Sequence, residues 1–540
     1  MPDAGLPRPT PRPSRKPFGK TLKVGVVDVI YDAGPKLSWF DHLESQLVFK
    51  QYAAIMPQVV KVWCKQLGCD VTYKTFYSQC DLFTLMPDDL DVLFVTCCTQ
   101  ESHLAYGLSR YYQKKGTVTV LGGPHAHCFP NDAQRFFDVV VGPCNKDLVE
   151  QILRDEPRGG VYLESPPPTH FPGVEERMED IIEALFYFGK PMIASTIPIY
   201  ASVGCPYTCN FCVDYNSKYR TVDTDALEAD LRYINTHHPD ATIGFHDANF
   251  AVRFDETMDV LERVDNKNGY GMGITMSVLN TEERIMRLKN SGCRYVQCGI
   301  ESLSGFHGKQ GRSRKLGLDQ ARQGAQDFFE NLSSVFEMTQ CNIIFGLEDD
   351  MGTDLVDQYV EFVESGAAGI INMCIPTPFA QTPLYDTLVR EERLLPMPFL
   401  FYRDSYLSVI PKHYDARTYY QHMITILKSS TSNRAIYNRL ASPRLGGKRK
   451  FPFHRCAGEL TMRLVDRFQF MPTCQRILDA FDEPDMAAFY AGKSKRLPKF
   501  FRRELEERIE RLDGLVESDE IEYPHFESER VSPPQGLRVV

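Results

Sequence analysis

The stretch SVGCPYTCNFC (202–212) follows directly on the β-rich run IYASVG (199–204) and places Cys205, Cys209 and Cys212 within eight residues. The C-x3-C-x2-C spacing gathers three soft thiolate ligands on one short loop. Such a set suits an iron–sulfur cluster in which one iron lacks a protein ligand. A zinc site needs a fourth Cys or His, and by counting alone Cys144 or His246 can supply it. The sixteen cysteines therefore matter chiefly through three of them. The N-terminus, MPDAGLPRPTPRPSRKPFGK, has no apolar h-region, so a disulfide framework is not expected and a cytoplasmic enzyme is.

Outward from this loop, short β-rich runs alternate with amphipathic stretches. After 199–204 come TIGFH (242–246), GITMS (273–277), YVQCGI (295–300), CNIIFG (341–346) and IINMCI (370–375), with helical spacing at 224–236, 281–290 and 352–364. Six β/α units in about 190 residues suit a partial barrel, with an open Rossmann-type sheet as the alternative on period alone. An earlier series holds LKVGVVDVI (22–30), DVTYKTF (70–76), DVLFVTC (91–97), TVTVLGG (117–123) and DVVVG (138–142), with helical stretches at 45–67, 101–114 and 146–153. It reads as a Rossmann-like parallel sheet.

The expected organisation is α/β: a disordered Pro-rich tail at 1–19, a Rossmann-like domain at 20–164 and a linker at 165–197 built on SPPPTHFP (165–172). A (β/α)6 domain at 198–390, a helical C-terminal domain at 391–514 and a solvated acidic tail at 515–540 follow. Within the helical part, 415–440 and 475–512 carry the helical pattern. The formal charge of −10 argues against a nucleic-acid partner, and no run reaches the ~18 apolar residues of a membrane span. Basic residues at Arg444, Lys448, Arg449, Lys450 and Arg455, and at Lys493, Lys495, Arg496 and Lys499, read as solvated faces.

The cysteine loop, with Phe211 before its last cysteine, resembles the signature of the radical S-adenosylmethionine (SAM) enzymes. The resemblance implies a [4Fe–4S] cluster on Cys205, Cys209 and Cys212. It also implies SAM chelating the open iron, and an electron donor such as flavodoxin or ferredoxin. The remaining strand ends resemble the same family: HDANF (246–250), Ser277, GIES (299–302), IFGLEDD (344–350) and PTPFAQTPLY (376–385), the last with Ala-Gln where the family's segment has Gly. All lie where β/α barrels place active sites. By resemblance, Glu301 and Ser277 contact the ribose or amino group of SAM. Asp247 and Asn249 do the same or cap the following helix. Gly346 admits adenine or makes a turn.

The segment VLGGPHAHCFPNDAQRFFDVVVGPCNKDLVEQIL (120–153) resembles the cobalamin-binding subclass of that family, with Gly122 and Gly123 giving a corrin or nucleotide tail access to the backbone. The sequence departs from the subclass twice. No D-x-H-x-x-G motif offers a histidine to cobalt, and Gly142-Pro143-Cys144-Asn145 replaces a "G-E-G-E"-like turn. His103, His125 and His127 read as surface or packing residues. The resemblance implies methyl transfer to an unactivated carbon, or phosphorus, of a small molecule or lipid. Radical rearrangement, cyclisation or oxidation without methyl transfer is the alternative, and so is an N-terminal domain reduced to a docking module. No residue is assigned as catalytic.

Overall fold

The computed structural model describes residues 20–34, 45, 50, 53–168, 170–191, 195–306, 316–441 and 463–524. The Pro-rich segment 1–19, the basic cluster 444–455 and residues 525–540 lie outside them.

The N-terminal sheet is built of β1 (Lys23–Val29), β2 (Asp70–Phe76), β3 (Val92–Cys97), β4 (Val118–Gly122), β5 (Val139–Val141) and β6 (Val161–Leu163). Its order is β2-β1-β3-β4-β5-β6, and every pairing is parallel. β1 is apolar on both faces, with Val24, Val26, Val27 and Val29 all buried, as a strand covered by helices on both sides must be. The covering helices include Ile55–Gln66, Ser102–Gln113 and Lys146–Asp155. The sequence reading had no counterpart for β6. It is a three-residue edge strand of half-buried residues, too short to show a period.

The second sheet begins with β7 (Thr196–Ile199). A small antiparallel hairpin, β8 (Ser202–Val203) with β9 (Arg220–Thr221), follows it. Next come β10 (Thr242–Phe245), β11 (Tyr270–Gly273), β12 (Cys293–Glu301), β13 (Met338–Ile344) and β14 (Ile370–Cys374). The order β14-β13-β12-β11-β10-β7 is chain order and all pairings are parallel, which is the partial (β/α)6 barrel.

Two strand expectations are corrected. The strand expected at 199–204 ends at Ile199. The Asp247 carboxylate takes the Ala201 N–H (3.0 Å) and the Ser202 hydroxyl (2.5 Å), and so draws the chain out of the sheet into the hairpin. The strand expected at 273–277 ends at Gly273, because the Thr275 N–H turns to Asn249 Oδ1 (3.0 Å).

The expected linker carries a buried helix, Val174–Leu185. Its Arg177, 2% exposed, donates to Gln58 Oε1 beneath the first sheet and to the Pro198 carbonyl in β7. Lys61 and Asp180 form a second buried tie at 2.9 Å.

Beyond residue 390 the chain is helical, with Ala416–Ser430, Asn433–Ala441, Met471–Ala480, Pro484–Tyr490 and Lys499–Ile509. Pro484 and Pro498 divide the helical stretch at 475–512 into separate helices. The acidic stretch is likewise not a free tail in its first part. Helix Ser518–Glu522 docks against the helix Ser102–Gln113, where Glu520 accepts from both Arg110 Nη1 (2.7 Å) and Nη2 (2.6 Å).

Arg508 and Arg511 reach Asp32, just past β1, at 3.1 and 2.8 Å, and His103 lies 3.0 Å from the same carboxylate. The crevice between β1 and β3, where such sheets reverse direction, is thus partly filled by the C-terminal helices. Among the described residues no helix is long and apolar enough to cross a membrane.

Candidate active site

The cysteine loop springs from the C-terminal end of β7 and is closed at its base by the β8–β9 hairpin. Gly204 turns with φ +72°, and a Cβ there would sit 2.5 Å from the Lys218 carbonyl, so the two sides of the loop meet only across glycine. Inside, Ser217 Oγ accepts from the Cys205 N–H (2.9 Å) and the Cys209 carbonyl from the Cys212 N–H (3.1 Å). The Asn210 carbonyl accepts from the Leu384 N–H (2.9 Å), which joins the loop to the segment after β14. All fifteen described cysteines are thiols, and Cys205, Cys209 and Cys212 are half-buried. Burial pushes the Cys212 thiol up to about 11, so metal binding there must displace a proton.

Three thiols on one loop are the right donor set for an iron–sulfur cluster. Among the described residues no three His, Cys, Asp or Glu side chains converge as the ligands of a single ion do. Cluster ligands do not need to converge, because each thiolate binds a different iron. His246 lies at the end of β10, where desolvation of the ring and the Arg177 charge push its pKa down to about 4 and keep it neutral. Cys144 lies in the N-terminal sheet's own loop, its thiol 3.5 Å from the Asn145 carbonyl.

The strand ends hold the other sequence-selected residues, in differing roles. Asp247, pushed up to about 7 by burial, directs both oxygens to the stem of the hairpin. Asn249 bonds Thr275 through both amide atoms. Ser277 lies four residues beyond β11 and bonds Tyr207 of the cysteine loop (2.9 Å) and Thr275 (3.1 Å).

Glu301 sits at φ +60° on a bulge in β12, and a Cβ on Gly299 would collide with its carboxylate. A non-glycine residue in that region costs on the order of 1–3 kcal/mol. Gly346 also has positive φ (+92°), but the space beside it holds the Tyr419 ring, 2.5 Å from where a Cβ would be. That ring leaves no room for a side chain at this position.

On the concave face of the barrel sheet lies a feature the sequence reading missed. Tyr295 donates to Gln340 Oε1 (2.5 Å), Gln340 to Asn342 Oδ1 (2.8 Å), and Asn372 to the same oxygen (3.3 Å). Among the described residues, Gln297 and the Asn342 amide nitrogen have no side-chain partner. The signal was present as alternation: Val296, Cys298 and Ile300 are buried while Tyr295, Gln297, Gly299 and Glu301 face the opening.

At the facing edge of the N-terminal sheet, Gly122 has open space where a Cβ would point, and Cys98 is exposed beside it. Gly123 (φ +86°) packs against Thr96 too closely for any side chain. His103 and His125 are buried in hydrogen-bonded clusters, with Asp32 and with Tyr106 (2.6 Å) respectively, as expected of packing residues. His127 is exposed. Its carbonyl accepts from Gln381 Nε2 (2.6 Å), and its charge opposes the burial that raises Asp214 of the cysteine loop.

Residues 199–357 match the Radical SAM superfamily. The bacteriochlorophyllide d C-8(2)-methyltransferase of Chlorobaculum tepidum is 25% identical over 321 residues, covering 55% of this chain and 68% of that protein. The C-12(1)-methyltransferase of the same organism is 23% identical over 304 residues, covering 55% and 66%. With the three-cysteine loop on a six-stranded parallel barrel sheet, the match identifies 199–357 as a Radical SAM domain and, with it, the chain as an enzyme.

Proposed function

We propose that this protein is a cobalamin-type radical SAM methyltransferase acting on an unactivated carbon, or phosphorus, of a small molecule or lipid. The observation that carries the reading is the contact between the two parts beyond their strand ends. The helix that opens with the Gly122–Gly123 turn meets the mouth of the barrel: the His127 carbonyl accepts from Gln381 beyond β14, and the His127 charge reaches Asp214 of the cysteine loop. That two methyltransferases are similar over more than half of the chain supports it.

In this reading Cys205, Cys209 and Cys212 hold the [4Fe–4S] cluster, and Glu301 reaches SAM from the strained end of β12. Gly122, Gly123 and the open space beside Cys98 admit the corrin by shape, without a histidine ligand. When bound, the cluster and SAM supply a deoxyadenosyl radical and cobalamin supplies the methyl group. The chain's own contribution is to join the two parts through the Gln381–His127 contact and to present a polar barrel face to the substrate. Electrons come from a flavodoxin- or ferredoxin-type donor.

A second reading, the N-terminal sheet as a docking module, draws on Asp32, Arg508 and Arg511, which occupy part of the crevice between β1 and β3. Anaerobic reconstitution with iron, sulfide and cobalamin, followed by product analysis with SAM, separates the two. Cobalamin retained on the protein, and 5′-deoxyadenosine formed together with S-adenosylhomocysteine, is the expected result. 5′-Deoxyadenosine alone indicates radical chemistry without methyl transfer. Iron retained without cobalamin favours the docking module.

A further inference from the structure

Of the sequence-selected residues at the mouth of the barrel, three converge on the cysteine loop rather than on open space. Asp247 holds its stem through Ala201 and Ser202. Asn249 and Ser277 belong to one chain of hydrogen bonds ending on the loop. Its direction can be assigned. Asn249 Oδ1 accepts from the Thr275 N–H, so the other amide atom is the nitrogen, and it donates to Thr275 Oγ1 (3.4 Å). The Thr275 hydroxyl is then oriented toward Ser277 Oγ (3.1 Å), and Ser277 meets the Tyr207 hydroxyl at 2.9 Å. Tyr207 stands midway between Cys205 and Cys209, in the wider of the two gaps between the cysteines.

We propose that Tyr207 and Ser277 are positioning residues for the cluster: their hydrogen bond fixes the Cys205–Cys209 segment to the end of β11. The physical need is plain. A loop that must place three thiolates in one arrangement loses conformational freedom at every residue, and the segment between Cys205 and Cys209 has no ladder of its own. Its other attachments lie elsewhere: Ser217 at the Cys205 backbone, and Leu384 at Asn210, beyond Cys209. Among the described residues, the Tyr207 hydroxyl is the side-chain tether within the wider gap. Hydrogen bonding and solvent exposure around a cluster also set its reduction potential, so the tether has an electrochemical consequence as well as a structural one.

The test uses the full chain in two states. In the cluster-free protein, amide hydrogen exchange across 204–219 is followed for Tyr207→Phe, Ser277→Ala, the double variant and Ser277→Thr. Loss of one hydrogen bond should speed local exchange by roughly two- to tenfold. The double variant should be no faster than either single one, Ser277→Thr should restore the wild-type rate, and the helix Thr224–His237 should be unaffected.

In the reconstituted protein, both single variants should shift the cluster's midpoint potential in the same direction. Unchanged exchange in the two single variants, or additive effects in the double variant, overturns the tether. So does Ser277→Ala weakening SAM binding tenfold or more while Tyr207→Phe leaves it unchanged, because Ser277 would then be a direct SAM contact. The exchange measurement needs neither a cluster nor a methyl acceptor, so its result stands apart from that of the methyltransferase reading.

Discussion

The molecule contains two six-stranded parallel sheets that differ in what they do with their faces. In the N-terminal sheet β1 and β3 are mainly apolar on both faces, Asp28 and Thr96 apart, and helices cover both sides. In the barrel sheet β12 and β13 alternate. One face is buried under helices, while the other carries Tyr295, Gln297, Gln340, Asn342 and Asn372 into an open concavity. β/α barrel interiors are ordinarily filled by branched apolar side chains. An amide-lined interior means that this half of the molecule keeps hydrogen-bonding capacity for something other than its own stability. The N-terminal sheet places its polar groups instead at one end, in the buried cluster of Asp32, Glu101, His103, Arg508 and Arg511.

The contrast can be broken most severely at the cysteine loop. Cys205→Ala, Cys209→Ala or Cys212→Ala should abolish iron retention after anaerobic reconstitution and with it 5′-deoxyadenosine formation, while circular dichroism and thermal unfolding stay close to wild type. An effect on folding as large as that on iron would mean that the loop supports the barrel rather than the chemistry.

Asp32→Ala acts on the other sheet. It leaves Arg508 and Arg511 without the carboxylate that both of them bind, and should cost about 3–5 kcal/mol in denaturant unfolding. Iron loading should be unchanged.

Asn342→Ala removes the oxygen that accepts from both Gln340 and Asn372. Leaving those donors unmet should cost on the order of 1–3 kcal/mol by the same measurement. A null result would show that water substitutes freely and that the concave face is wetter than its hydrogen bonds suggest.

The smallest effect concerns pH. Burial outweighs Arg403 and Arg508 and pushes Glu101 up to about 8, and burial pushes Asp28 up to about 7. In the unfolded chain both ionise in the ordinary carboxyl range. Between those limits the folded state holds protons that the unfolded state has released, so stability falls as pH rises toward 8. Asp32 works the other way. Its carboxyl is held well below the ordinary range by His103, Arg511 and Arg508 despite its burial, so its contribution is lost only on strong acidification. Glu101→Gln should flatten the decline in Tm between pH 6 and 8, and an unchanged slope would place the proton elsewhere.

Much of the architecture was legible in the amino-acid order because it rests on local chemistry. Runs such as KVGVVDV and VLFVTC can only be covered strands, and three cysteines within eight residues are a ligand set wherever the chain carries them. The alternation of strands with helical spacing determined both parallel sheets, and the resemblance of the strand-end motifs marked the rim of the barrel. What proved illegible depended on partners distant in sequence. The resemblance offers Ser277 as a SAM contact and Asn249 as a SAM contact or helix cap, but their hydrogen bonds to Tyr207 and Thr275 could not be read, because they cross a surface that exists only once β10, β11 and the loop are assembled. Gly346 reads equally as an adenine contact or a turn glycine, and its packing against Tyr419, more than seventy residues on, has no local signal. The acidic stretch near 520 looked solvated because its counter-charges, Arg110 and Arg135, lie about four hundred residues earlier. Periodicity and spacing report what a residue does with its neighbours in the chain. The direction in which a polar side chain is satisfied is decided by tertiary packing, since only there do desolvation and the available partners compete.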